Sequence, residues 1–190
     1  YITNLSEDVW PFISAMSDPS ARAAEIQENA ATLGDRDLFS IAPEDNVLFI
    51  SPKPISPQFL SYYQHVSRTK NIRTLTTKAH SGLICEDILH DDSIVAAIIK
   101  AANSAKHLNI ISYCTSPQFL NLVDELRRRG LTIFTPESPE LEDAWTVYFY
   151  GSKSGIRQLA QQSAAAEPDL KMSDGLICSD IIDASKIAAW

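Results

Sequence analysis

Ser56-Pro57-Gln58-Phe59-Leu60 recurs intact as Ser116-Pro117-Gln118-Phe119-Leu120. Each copy stands just behind a short β-branched and aromatic run, Val47–Ile50 in one case and Leu108–Ser112 in the other. Serine ahead of proline reads as a helix start. The hydroxyl accepts a free amide of the first turn, and proline at the first helical position gives up a donor that has no partner there anyway. The same five residues therefore lead the chain out of a strand and into a helix twice.

Working outward, Asn46–Ser51 reads as a strand, Ser56–Thr69 as a helix and Ile72–Thr76 as a second strand. Asp91 or Asp92 caps the next segment, where Ile94, Val95, Ile98, Ile99 and Ala102 make one apolar stripe at helical spacing. Leu108–Ser112 follows as a strand and Ser116–Arg129 as a helix ended by Gly130. Leu131–Thr135 is then a strand closed by Pro136. Strands that are nearly all apolar and alternate with helices predict a mostly parallel sheet, covered on both faces and joined by right-handed crossovers.

Ahead of this region, residues 1–45 hold an amphipathic stretch, Ala21–Leu33, between polar flanks, and read as a leader packed on the main domain. Residues 46–162 make the α/β domain itself. After Pro136 come an acidic connection, an aromatic segment at Trp145–Tyr150 and a helix from about Ser152 to Gln162. Residues 163–190 read as a linker, with Ser163–Ser173 a loop, and a last helix over about Asp180–Trp190.

A second echo pairs Gly82-Leu-Ile-Cys-Glu-Asp-Ile-Leu89 with Gly175-Leu-Ile-Cys-Ser-Asp-Ile-Ile182. The two echoes have different spacings, so they share no repeat period. Each octapeptide reads as a short extended apolar segment followed by an aspartate that caps a helix.

A net charge of −8 with 21% charged residues argues against a nucleic-acid partner, which would attract a basic surface. The basic run Arg127–Arg129 ends a predicted helix, where cations oppose the dipole, and reads as structural. No apolar run approaches the ~20 residues that span a bilayer, and the N-terminus has no charged region followed by an apolar one, so a cytoplasmic location without membrane contact is expected. Cys85, Cys114 and Cys178 form an odd set in apolar surroundings and read as reduced, buried thiols. The chain begins at Tyr1 rather than Met, as expected of a piece of a longer polypeptide.

Known catalytic signatures are missing. Neither GxGxxG nor GxxxxGK[ST] occurs. Gly151-Ser-Lys-Ser-Gly155 puts lysine where a nucleophile elbow needs its nucleophile, and Ser67-Arg-Thr-Lys70 lacks the companion motifs of SxxK enzymes. His80, Cys85 and His90 fit no zinc spacing, and His65 and His107 read as surface residues. What remains is position. Open α/β sheets bind ligands at the carboxyl ends of their strands, where helix N-termini offer amides to anions. The candidate substrate contacts are therefore Ser51 and Lys53 after the first strand, and Thr115 and Ser116 after the third.

Val47-Leu-Phe-Ile-Ser-Pro52, Leu83–Leu89 ahead of an Ile-rich helix, Ile110–Ser116, Gly151-Ser-Lys-Ser-Gly-Ile-Arg157 and Gly175–Ala184 stand in the order found in one family. Over about residues 46–190 the chain resembles the N-terminal, or pre-ATP-grasp, domain of ATP-grasp carboxylate-amine ligases, including their peptide-ligase branch. The resemblance implies a Rossmann-like open, mostly parallel sheet with helices on both faces. It gives Lys153 a nucleotide contact, with Arg157 one turn further on the same helix face. Ser152 stands where that family often has aspartate.

By the same resemblance, residues 163–190 are the linker and the start of the ATP-grasp subdomain, and ATP and Mg²⁺ serve the full-length enzyme, in which that subdomain would continue past Trp190. None would be firmly bound by these residues alone. The expected partners are the remainder of the same chain and small carboxylate and amine substrates, with a homodimer as one assembly this allows. The alternative reading is a non-catalytic α/β module that binds a small ligand or a protein through the same strand-end loops.

Overall fold

The computed structural model describes every residue of the chain except 31, 32, 106, 165, 168, 170, 172, 174, 179 and 190. The described residues form two compact units, Tyr1–Leu141 and Glu142–Trp190.

The first unit opens with three short helices, α1 (Leu5–Asp8), α2 (Trp10–Ala15) and α3 (Pro19–Ala24). The last runs into a π-helical turn at Glu25–Ala30, and a 3₁₀ stretch follows at Leu33–Ser40. Residues 31 and 32 of the expected Ala21–Leu33 stretch lie outside the described residues. Strand and helix then alternate through β1 (Asn46–Ser51), α4 (Pro57–Ser67), β2 (Asn71–Thr76), α5 (Ile84–Leu89), α6 (Asp92–Ser104), β3 (Leu108–Asn109), α7 (Pro117–Arg128) and β4 (Ile133–Phe134).

The repeated pentapeptide does what its sequence demands. Ser56 accepts the Phe59 amide at 3.1 Å and Ser116 accepts the Phe119 amide at 2.9 Å, each with proline in the first turn. Asp91 caps α6 by accepting the Ser93 amide at 3.1 Å, and Ile94, Val95 and Ile98 of the predicted stripe are buried. Gly130 takes φ +88°, the left-handed conformation that closes a helix at little cost to glycine.

Of the open parallel sheet read from the sequence, the structure shows the parallel pairing, in pairs of strands. There are two parallel two-stranded sheets, β1 with β2 and β3 with β4, and the expected Leu108–Ser112 and Leu131–Thr135 contract to two residues each. The reason is a change of partner along one extended run. Leu108, Asn109 and Ile110 reach β4, the last through its amide to the Phe134 carbonyl at 2.9 Å. Residues 111–113 pair with the N-terminal residues instead.

Ile2 donates to the Ile111 carbonyl at 2.9 Å and accepts from the Tyr113 amide at 3.1 Å. On its other side the Tyr1 carbonyl accepts from Ile50 at 2.9 Å, and Thr3 donates to Ile50 at 3.1 Å. Ile2 thus forms parallel bridges to both Ile50 and Ser112. The order across these hydrogen bonds is β2, β1, Tyr1–Thr3, the run continuing from β3, and β4.

Phe49 and Ile50 point to opposite faces of β1, yet only 0% and 2% of their surface is exposed, so both faces are covered there. Phe49 packs with Leu38, Ile41, Ile55 and Tyr63, and its ring stacks on Tyr1 at 5.5 Å. β2 is partly exposed along its length, as befits an edge.

The two similar octapeptides part company. Ile84–Leu89 is itself helix α5, so Asp87 lies inside a helix and accepts the Ser81 amide at 2.9 Å instead of capping. In the second copy Gly175–Cys178 carries no regular structure, and Asp180 caps the following helix at 2.8 Å.

The second unit holds α8 (Trp145–Tyr150), α9 (Lys153–Ser163) and α10 (Ile181–Ala188). The aromatic segment is helical, with Phe149 and Tyr150 rings edge to face at 5.0 Å. A Cβ at Gly155 would stand 1.6 Å from the Phe149 carbonyl oxygen, so only glycine admits this close approach of α9 to the end of α8.

Candidate functional site

The loops that leave the carboxyl ends of β1 and of the run after β3 are held from within. Ser51 is 2% exposed, and its hydroxyl donates to the Lys53 carbonyl at 2.7 Å, which fixes the turn and leaves the Lys53 side chain half-buried. Thr115 shares a 2.7 Å hydrogen bond with Ser138, tying the loop after β3 to the loop after β4. Ser116 caps α7 and is also buried, because its hydroxyl donates to the Glu7 carboxylate.

Glu7 and Asn4 are the residues that sequence reasoning missed. The Asn4 side-chain amide donates to the Cys114 carbonyl at 2.9 Å and accepts the Cys114 N–H at 3.0 Å. It pairs as another strand residue would, and so prolongs the Tyr1–Thr3 ladder by one step. Glu7 accepts from Asn4 Nδ2 at 2.8 Å, from the Cys85 amide at 2.7 Å and from Ser116. This carboxylate is 5% exposed, with hydrogen bonds to α5, to the start of α7 and to its own turn. Such satisfaction is what makes a buried acidic group tolerable. Asn4-x-x-Glu7 has the spacing of a capping box, the one signal that marked these two residues. Asn4 makes no side-chain cap, having turned to Cys114 instead.

The thiols around this carboxylate are kept protonated. Burial first, and Glu7 next, push Cys85 well above the ordinary thiol range, and the same two causes raise Cys114. A neutral thiol is a poor nucleophile and metal ligand. His80 lies 3.5 Å from Asp87, and His90 Nδ1 stands 2.8 Å from the Glu86 carbonyl. Among the described residues no group of three or more His, Cys, Asp or Glu is arranged to hold a metal.

Beside β4 lies an open cleft of about 490 Å³, lined by His107, Asn109, Arg127, Phe134 and Glu140 among others. Arg127 caps the Ile133 carbonyl at 2.9 Å and forks onto Glu140. Arg128 and Arg129 pair with Asp124 and Glu125 along α7, so the basic run is taken up within the unit.

Lys153 and Arg157 belong to the other unit. Lys153 is exposed at the first position of α9, where Ser152 caps the Gly155 amide at 2.9 Å. Arg157, one turn on, donates to the Ser173 carbonyl at 2.7 Å.

A protein-family model described as the pre-ATP-grasp domain matches residues 34–128, half of the chain. The chain belongs to this family. In pre-ATP-grasp terms the match takes in β1 through α7, and with them Ser51, Lys53, Thr115 and Ser116. Tyr1–Glu7, Lys153 and Arg157 lie outside it. No curated protein and no solved structure matches the chain. The family implies ATP and Mg²⁺ in full-length enzymes. An exposed lysine at the start of an 11-residue helix suits a phosphate, whereas Mg²⁺ finds no ligand set among the described residues. No helix among those residues is long and apolar enough to cross a membrane.

Proposed function

We propose that these residues form the N-terminal part of an ATP-dependent carboxylate–amine ligase, one that activates a carboxylate as an acyl phosphate and passes it to an amine. The family match over residues 34–128 carries the reading. The strand order supports it too, if the bridged sheets are taken as one Rossmann-like sheet. The chain builds outward from Tyr1–Thr3 to β2, then returns to the other side for β3 and β4, and ligands of such sheets bind at the carboxyl ends where the order reverses.

In this reading Ser51 and Lys53 lie on one side of the reversal and Thr115 and Ser116 on the other, where their loops would meet the acyl or amine substrate. Lys53 supplies a cation for a carboxylate, while the buried Ser51 and Ser116 hydroxyls shape the loops. Lys153 and Arg157 meet nucleotide phosphate from α9. Bound ATP would supply the phosphoryl group. The residues of this chain orient substrate, and phosphoryl transfer, which depends on metal and positioned charge, is left to the ATP-grasp half.

Calorimetric titration of the 190-residue chain with MgATP is the test. No tight binding is expected from this chain, and micromolar binding from a polypeptide that includes an ATP-grasp half. Tight binding by the 190 residues alone would overturn this division of labour.

A further inference from the structure

We propose that the 3₁₀ stretch over Gly34–Ser40 is a pH-sensitive strap, held more firmly when the Asp37 carboxyl carries a proton than when it is ionised. The inference stands apart from the ligase reading.

The strap lies across the N-terminal strand residues. A Cβ at Gly34 would be 2.7 Å from the Thr3 side chain, so the backbone rests directly on Thr3. Leu38 is fully buried in the cluster with Phe49 and Tyr63. Arg36 reaches over the end of the β3 run, where its guanidinium donates to the Tyr113 hydroxyl at 3.2 Å and stands 5.5 Å from the ring centroid. Tyr113 begins the loop that carries Thr115 and Ser116, so lifting the strap uncovers that loop.

Between these anchors sits an uncompensated group. The Asp37 side chain is 7% exposed, and its Oδ2 is enclosed without a hydrogen-bond partner among the described residues. The nearest cation, Arg36 Nε, is 4.0 Å from Oδ1, beyond hydrogen-bond reach. Asp35 adds a negative neighbour from the strap itself. The Tyr1 phenol is in the field of Asp37 and also in that of Glu137 from the loop after β4 and of Tyr113.

An enclosed oxygen without a donor favours the neutral acid, and burial pushes the Asp37 carboxyl up to about 6, with Asp35 adding to the rise and Arg36 opposing it. Released into water, the same carboxyl returns to its ordinary 3.8. Linkage between those two values makes release about tenfold more favourable at pH 8 than at pH 5.

Hydrogen–deuterium exchange of the 190-residue chain at pH 5, 6.5 and 8, corrected for intrinsic exchange, reads this directly. The amides of 34–41 should lose protection about tenfold from pH 5 to pH 8, while α6 and α7 keep theirs. Asp37→Asn should remove the dependence and Asp35→Asn should keep it. Should Asp37→Asn fail to fold, the carboxyl carbon resonance of Asp37 in the unaltered chain decides: a midpoint near 6 supports the strap. A midpoint near 4, protection that does not vary with pH, or an unchanged slope in Asp37→Asn would overturn it.

Discussion

The carboxylate of Glu7 accepts the backbone amide of Cys85 at 2.7 Å across seventy-eight positions of chain. Three elements meet at that carboxylate, since it also takes donors from Asn4 and from Ser116 at the head of α7. Removing it strands all three donors in a buried site. Glu7→Ala is therefore expected to cost about 3–4 kcal/mol in urea unfolding, from desolvated donors and a lost volume together. Glu7→Gln keeps one acceptor oxygen and places an amide against donors, and should cost about half as much. Equal stability of Glu7→Ala and the unaltered chain would mean that the carboxylate holds nothing together.

The two identical pentapeptides supply an internal control. Ser56 is exposed and does one thing, capping the Phe59 amide, so Ser56→Ala should cost about 1 kcal/mol. Ser116 is 4% exposed, caps the Phe119 amide and also donates to Glu7. Ser116→Ala should cost about 2–3 kcal/mol, because the cap is lost and a buried carboxylate loses a donor. The double change with Glu7→Ala should then cost less than the two single changes added together, as groups in one network couple. A strictly additive result would separate Ser116 from Glu7.

These two serines also mark the limit of what the sequence discloses. Ser-Pro, Asp91 and Gly130 act within their own turn, so each is legible from neighbours alone, and the structure bears out each. The partnership of Asn4 with Cys114 depends on which strand lies beside which across 110 positions, and no local pattern encodes that register. For the same reason the β3 run looks like a five-residue strand in sequence and changes partner after Ile110 in the fold. The paired octapeptides fail differently. Gly82 sits at φ +101°, and a Cβ there would stand only 2.4 Å from the Trp10 ring, while the matching atom at Gly175 would meet the far end of the Arg157 side chain. Like residues met unlike neighbours, and one became a helix. Ser51, Lys53, Thr115 and Ser116 follow from a rule about strand ends; Ser51 is the last residue of β1, and Thr115 and Ser116 follow the run that continues from β3. The internal bonds of Ser51 and Ser116 come only with packing.

Two aspartates should bend the stability of the chain in opposite directions with pH. Asp91 is held well below the usual carboxylate range, first by the Ser93 hydrogen bond against a smaller effect of burial, and then by Lys78, whose ammonium is 3.2 Å away. Its folded value is depressed, so its contribution is complete above about pH 4 and is lost gradually as pH falls from there through the depressed folded value. Asp37 is raised to about 6 from 3.8, so its contribution is complete below about pH 4 and is lost as pH rises to about 6. Thermal unfolding across pH 3–8 should show Asp91→Ala less stable than the parent at pH 7, with a narrower gap at pH 3. Asp37→Asn should match the parent near pH 4 and exceed it by about 2 kcal/mol at pH 8. A stability difference between Asp37→Asn and the parent that stays the same from pH 4 to pH 8 would place Asp37 in contact with a donor.

Lys153 and Arg157 share a helix face but not a condition. Lys153 stands exposed at the dipole-positive start of α9, a poor place for a cation unless an anion joins it. Arg157 already donates to the Ser173 carbonyl, and so ties α9 to the loop that leads to α10. If the full-length protein is the ligase proposed above, Lys153→Ala in it should raise the nucleotide KM about tenfold or more, as loss of a charge-assisted contact does, with little change in the unfolding midpoint of the 190-residue chain. Arg157→Ala should do both, raising KM and loosening Ser173 and Gly175, seen as faster amide exchange at those two positions. Arg157→Lys should leave KM nearer the parent than Arg157→Ala does, because the charge stays even though the fork is lost. An unchanged KM in Lys153→Ala would remove that lysine from the nucleotide site. An unchanged KM in Arg157→Ala, with the loop loosened, would confine Arg157 to holding the loop.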